Sequence, residues 1–346
     1  MKFMQTEKKQ LLIYVIIAYG ITYVMGLLMW YSYGKGLDLS AFPNAQMLYP
    51  AAGVMMAYLI TKKGDKNLPT AFYIFFVALT AVLVVCTAAS VLAPQNRDLM
   101  SMPYSQWAPI MEYVIIGGSV IFWILLLQSG KEKRRSYGLN SEHWNISIRM
   151  ILLFIGLYLL RFVIACALSG QLSEFGKIMA NPTTWIMFFT VLVNFFLSVV
   201  AFFGEEYGWR YYLQPLLQKK FGLKGGVILL GCVWAVWHLP IDFFYYTTPD
   251  MGLAALASQF VTCISLGIFM AYTYMKTQNI WVPIIIHFLN NTCQDNNMVV
   301  VFSGTYSADV LQNQQIHWGA IPVALVMNLL IFGWVIFLKP FKEKKA

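Results

Sequence analysis

The sequence predicts an all-α fold: a polytopic membrane helix bundle of about ten transmembrane helices, with N- and C-termini cytoplasmic. Three observations carry that expectation. Residues of the set AVILMFWYC make up 59 % of the 346-residue chain and charged residues only 11 %, against roughly 45–50 % and about 25 % in ordinary globular proteins. A soluble fold could not hide that much apolar surface, because a single core stops growing near ~250–300 residues; a mean hydropathy of +0.63 agrees. The apolar residues also fall in runs close to the ~20 residues needed to cross ~30 Å of hydrocarbon. Finally, the cations gather between alternate runs.

The first run, near 11–31, follows Lys2, Lys8 and Lys9. It is too long for a signal-peptide core and no small-residue cleavage site follows it, so it reads as an uncleaved first span. Further spans are expected near 46–61, 69–93, 109–128, 150–168, 183–206, 225–246, 252–275, 280–300 and 319–338. Of these, 46–61 is short and 280–300 is rich in polar residues. With both ends inside, all but four of the 24 Lys and Arg residues lie in inner segments, as the positive-inside rule requires. Lys35, Arg97 and Lys177 are outer, and Arg161 lies within a span. The inner loop from Lys131 to Arg149 holds a short interfacial helix by this reading. The stretch Trp209 to Lys224 mixes aromatics, leucines and cations, which suits an interfacial helix between the sixth and seventh spans.

A net charge of +9 could suggest nucleic acid, but the cations form short loop clusters with no basic domain or long basic face. Nucleic acid is therefore excluded as a partner. Five cysteines (Cys86, Cys166, Cys232, Cys263, Cys293) lie singly in apolar stretches, which points to reduced thiols rather than disulfides or a zinc site. The sequon-like tripeptides at Asn145 and Asn290 fall in an inner loop and in a span. No repeat and no inverted pair of broken helices is visible, which weighs against a transporter.

Ionisable side chains inside spans are costly and mark function by default. Glu205 and Glu206 close the sixth span and Arg210 follows one turn later. His238 lies in the seventh. His287, Asn291 and Asp295 recur at a spacing of four in the ninth and so share a helix face. At ~1.5 Å rise per residue, Glu205 and His238 each lie roughly 21 Å from an inner-face lysine, and His287 and Asn291 about 16 and 22 Å. Three spans thus bring polar groups to a common level below the cytoplasmic face, as a shared cavity would. A carboxylate among apolar helices can take a proton from water near neutral pH. An imidazole beside it could orient the same water. A second imidazole and a carboxamide one turn apart can both donate toward one point, as a tetrahedral oxyanion requires. Water attack on a peptide bond fits, without a covalent intermediate.

At these residues the sequence resembles the CAAX-protease and bacteriocin-processing group (CPBP), also called the Abi family of intramembrane glutamate proteases. Glu205 to Arg210, EEYGWR, matches its EExxxR motif. WAVWH, ending in His238, is similar to FxxxH with Trp234 in the Phe position. HFLNN, from His287 through Asn291, matches HxxxN. The resemblance covers about 185–300. It implies that Glu205 activates water with help from His238, that His287 and Asn291 form the oxyanion site, and that Glu206 and Arg210 order it by pairing one turn apart. Trp234 is expected to keep the packing role of the usual aromatic. Three segments follow: 1–180, five N-terminal spans; 181–305, the catalytic core; and 306–346, a last span with a basic cytoplasmic tail.

The resemblance implies an intramembrane endopeptidase of CAAX type, acting on a membrane-associated, prenylated or leader peptide. Its expected partners are a peptide or protein substrate and the lipid bilayer. Its expected location is a multi-pass protein of a bacterial cytoplasmic membrane, with the site open to the cytoplasm. No cofactor is expected. Zinc on Glu205, His238 and His287 is the minor alternative, since the sequence lacks HExxH and its paired ligands on one helix. Two other readings stay open: a non-catalytic immunity or scaffold protein of the same fold, and a proton-coupled transporter.

Overall fold

A computed structural model describes residues 2–94, 96–99, 102–292 and 314–342. Those residues are overwhelmingly helical, and one short antiparallel hairpin pairs Asn96–Leu99 with Met102–Ser105. Six helices are long and apolar enough to cross a membrane: Gln5–Gly34, Thr70–Leu92, Trp107–Gln128, Trp144–Leu168, Pro182–Phe221 and Gly252–Thr277. The pair Leu223–Trp237 and Leu239–Tyr246, bent by 45°, makes a seventh if taken as one span.

Among the described residues, six or seven helices thus meet the length and apolarity of a span, against the ten expected. The expected span at 280–300 is described only as far as Thr292, where Trp281–Thr292 is helical. Tyr49–Thr61 and Ala320–Ile331 are helical but only 13 and 12 residues long, about 18–20 Å. They fall short of the ~30 Å hydrocarbon thickness. Tyr49–Thr61 is apolar for another reason: it is buried along most of its length, packed against the first helix and against Pro182–Phe221. A core helix and a short span look alike in hydropathy.

The expected interfacial helix at 209–224 is also corrected. Pro182–Phe221 is one continuous helix that carries the Glu205–Arg210 segment through a π-helical stretch, Tyr207–Leu213. It starts at Pro182, preceded by an Asn181 side chain that accepts from the Thr183 N–H at 3.0 Å. Nothing breaks it before Gly222, which adopts φ 78°. Gly204 and Gly208, one turn apart on this helix, let it approach the backbone at 47–50. A Cβ on Gly204 would stand 2.8 Å from the Leu48 Cα, and one on Gly208 2.8 Å from the Pro50 carbonyl carbon. Small residues at that spacing are what close helix approach demands.

The break after Trp237 is caused by a proline. Pro240 has no N–H and its ring crowds the carbonyl four residues earlier. That carbonyl, Val236, accepts instead from the Tyr23 hydroxyl at 3.0 Å. The Trp237 carbonyl accepts from the Gln46 side-chain amide at 3.0 Å. Side chains of two other helices thus satisfy backbone groups that no water could reach inside a membrane. Trp281–Thr292 is anchored at its start in a comparable way. Asn279 donates to the Glu142 carbonyl at 3.0 Å and accepts from the Trp281 N–H at 3.1 Å.

Candidate functional site

Glu205 and Glu206 are consecutive, so their side chains leave the helix about 100° apart and meet different partners. Both are buried. Glu205 Oε2 accepts from the Trp234 indole N–H at 2.8 Å and from the Trp209 indole N–H at 3.3 Å. Oε1 receives no hydrogen bond from the described residues. Glu206 instead bridges two cations-to-be: Oε2 accepts from Arg210 Nε at 2.8 Å and Oε1 faces His287 Nδ1 at 2.8 Å. Arg210 is itself fully buried, with its guanidinium 5.0 Å from the centre of the Trp234 ring.

His238 lies at the helix break. Its Nδ1 is 2.8 Å from the Trp234 carbonyl oxygen. A carbonyl only accepts, so Nδ1 carries the proton and Nε2 is left with a lone pair. By the same logic His287 donates from Nδ1 to the Glu206 carboxylate. Its Nε2 can donate only when the ring is the imidazolium. The Trp234 ring lies edge-on to His287, 5.5 Å between centres. Trp234 therefore touches four members of the cluster: Glu205 through N–H, His238 through its carbonyl, His287 and Arg210 through its ring.

Glu205, His238, His287 and Asn291 all line one cavity of about 150 Å³. At the ~30 Å³ a liquid water occupies, this holds several waters. Asn291 is half-buried, and its Oδ1 accepts from the Asn290 amide at 3.1 Å. Glu206 and Arg210 stand behind this wall, paired to each other and to His287. Arg161, expected within a span, lines the same cavity. Asp295 and Cys293 lie outside the described residues, and Glu112 is exposed. Among the described residues, no group of three or more His, Cys, Asp or Glu side chains is arranged to hold a metal ion.

One residue escaped the sequence reading. Asp242 is 1 % exposed, lines the cavity, and its Oδ2 has no hydrogen-bond partner among the described residues. The signal was present: an acid one turn after an intramembrane histidine. Trp234 packs its ring against His238 and does more. Packing alone does not describe it, because a Phe at this position could not donate to Glu205.

Residues 184–293 match the family of type II CAAX prenyl endopeptidase Rce1-like proteins. A curated relative, "CAAX prenyl protease 2" of Methanococcus maripaludis, is 28 % identical over 151 residues, 42 % of this chain and 54 % of that protein. The match thus spans about half the length of that relative. No solved structure matches. The matched region begins just inside the helix Pro182–Phe221 and contains all three motifs.

Proposed function

We propose that residues 184–293, which belong to the CAAX-protease and bacteriocin-processing family, form the core of an intramembrane endopeptidase that hydrolyses a peptide bond by activated water. The single observation that carries the reading is the shared cavity. Glu205, His238, His287 and Asn291 reach it from three separate helices.

In this reading the two indole N–H groups fix Glu205 through Oε2, and Oε1 takes the proton of a cavity water. His238 Nε2, a lone-pair acceptor, holds that water in line. Oxygen attacks the scissile carbonyl carbon and the C=O electron pair moves to oxygen. The oxyanion is met by Nε2–H of the His287 imidazolium and by the Asn291 amide. When the C–N bond breaks, the proton held by Glu205 passes to the leaving amine. Atoms and charge balance without a covalent enzyme intermediate. General-base action of this kind supplies about 10²–10⁴-fold, and each oxyanion donor about 10²–10³-fold. Glu206 is held between the Arg210 guanidinium and the His287 ring, so this buried carboxylate has a partner at each oxygen.

The substrate in this reading is a membrane-associated peptide, prenylated or leader-bearing, reached from the cytoplasmic side of a multi-pass membrane protein. No metal is required. The test is cleavage in proteoliposomes of a prenylated CAAX peptide and a panel of leader peptides, with and without a zinc chelator. Wild type is expected to cleave at least one peptide equally in both conditions, and Glu205→Ala none. A chelator-sensitive activity would replace the glutamate mechanism with a zinc one. Activity surviving Glu205→Ala would remove Glu205 as the base, and no cleavage of any peptide by wild type would remove the endopeptidase reading.

A further inference from the structure

We propose that the Asp242 carboxyl group is a substrate subsite that takes a cationic side chain, lysine or arginine, beside the scissile bond. This rests on the endopeptidase reading and names the class of peptide that the cavity accepts. Asp242 sits in HLPID, one turn beyond His238, and the turn is closed: the Asp242 N–H donates to the His238 carbonyl at 2.9 Å. The bend at Pro240 directs this turn to the same cavity that Glu205 and His238 line. One helical turn is about 5.4 Å, and an extended peptide advances about 3.3 Å per residue. A substrate side chain facing Asp242 therefore belongs to a position one or two residues from the bond held at His238.

The carboxyl is built for an incoming partner. It is 1 % exposed and, among the described residues, no protein donor reaches its Oδ2. Among the described residues no ion pair joins it to a cation. Arg161 lines the same cavity, with its guanidinium centred 5.7 Å over the Tyr158 ring. Leaving a buried polar atom unsatisfied costs more than a hydrogen bond returns, so a retained orphan calls for an explanation. A neutral donor such as a substrate amide needs only a neutral acceptor, and Gln259, Ser258 and Asn290 already supply those along the cavity wall. A carboxyl in that wall adds one thing more, an opposite charge for a cation drawn out of water. An acid at the base of a protease specificity pocket selects basic side chains in the same way.

The experiment separates this inference from the reading beneath it. Full-length protein carrying Glu205→Gln is placed in nanodiscs, and binding of fluorescent farnesylated peptides is measured by anisotropy. The peptides form a series with Lys or its uncharged counterpart norleucine at each successive position. Lys at one or two adjacent positions is expected to bind about tenfold tighter or better. Adding Asp242→Asn is expected to bring the two series within twofold, while Asp242→Glu, which keeps the charge, retains the preference. Equal binding of both series at every position overturns the proposal. So does a Lys preference that survives Asp242→Asn, or the absence of binding by any peptide. Cleavage by wild type is scored in parallel. A charge preference without cleavage sinks the endopeptidase reading alone, and cleavage without the preference sinks the subsite alone.

Discussion

The indole N–H of Trp234 makes a 2.8 Å bond to a buried carboxylate. A hydrogen bond to a charged group is worth about 1.5–3 kcal/mol. Trp234→Phe keeps an aromatic ring against His287 and Arg210 but loses that bond. It is expected to lower kcat/KM for peptide cleavage by roughly 10- to 100-fold, with folding preserved by size-exclusion chromatography. Arg210→Met acts differently, because it leaves Glu206 buried beside only one partner. Breaking a buried pair from one side costs about 3–5 kcal/mol, so this variant is expected to lose thermal stability as well as activity. The motif residues could be read from the chain because ionisable groups stand out in apolar runs. Asp242 carries the same signal but lies four residues from the expected end of its span at 246, where an acid reads as interfacial. The Trp234 bond has no sequence signal at all, since its acceptor comes from another helix.

Helix lengths were harder to read than helix positions. Apolar runs located the helices well, but hydropathy cannot separate a 13-residue helix buried in protein from a short span in lipid. Continuity past Arg210 was missed for a related reason: polar and aromatic residues at 207–213 resemble an interface, yet most of them are buried. They are polar because they serve the site and its support, not because they meet water. The approach of this helix to residues 47–50 depends on Gly204 and Gly208. Gly208→Val puts side-chain carbons into the Pro50 backbone and is expected to cost about 1–3 kcal/mol, measured as a lower melting temperature in detergent. Gly225→Ala is the control. Its Cβ would meet nothing closer than Phe221 at 3.8 Å, and alanine favours helix over glycine by about 1 kcal/mol, so stability is expected to hold or rise.

Across the molecule, a chain of hydroxyls ties the helices behind the site together. Tyr73 and Tyr207 share a 2.6 Å hydrogen bond, Tyr207 donates to the Tyr137 carbonyl at 2.8 Å, and the Tyr137 hydroxyl donates to Asp65 at 2.6 Å. Asp65 lies in a loop outside the spans, and the Tyr137 hydroxyl holds its carboxyl below the ordinary carboxylate range. A depressed value means that its stabilising effect is complete above the unfolded value, about 3.9, and is lost as pH falls through the folded one. Asp65→Asn is therefore expected to melt at a lower temperature than wild type at pH 7, with the gap closing in strong acid. A gap unchanged by pH would contradict that link. Membrane character itself was plain from composition. Large apolar side chains such as Leu27, Val85, Leu127 and Leu330 remain exposed on the outer helices, where lipid takes the place of a protein neighbour.

The most direct measurement is single-turnover cleavage in water enriched with oxygen-18, followed by intact-mass analysis of protein and product. Direct hydration by the Glu205–His238 pair predicts one labelled oxygen in the new carboxyl group, no adduct on the protein, and no labelled product from Glu205→Gln. A trapped acyl-enzyme, or labelled product at the wild-type rate from Glu205→Gln, would contradict it.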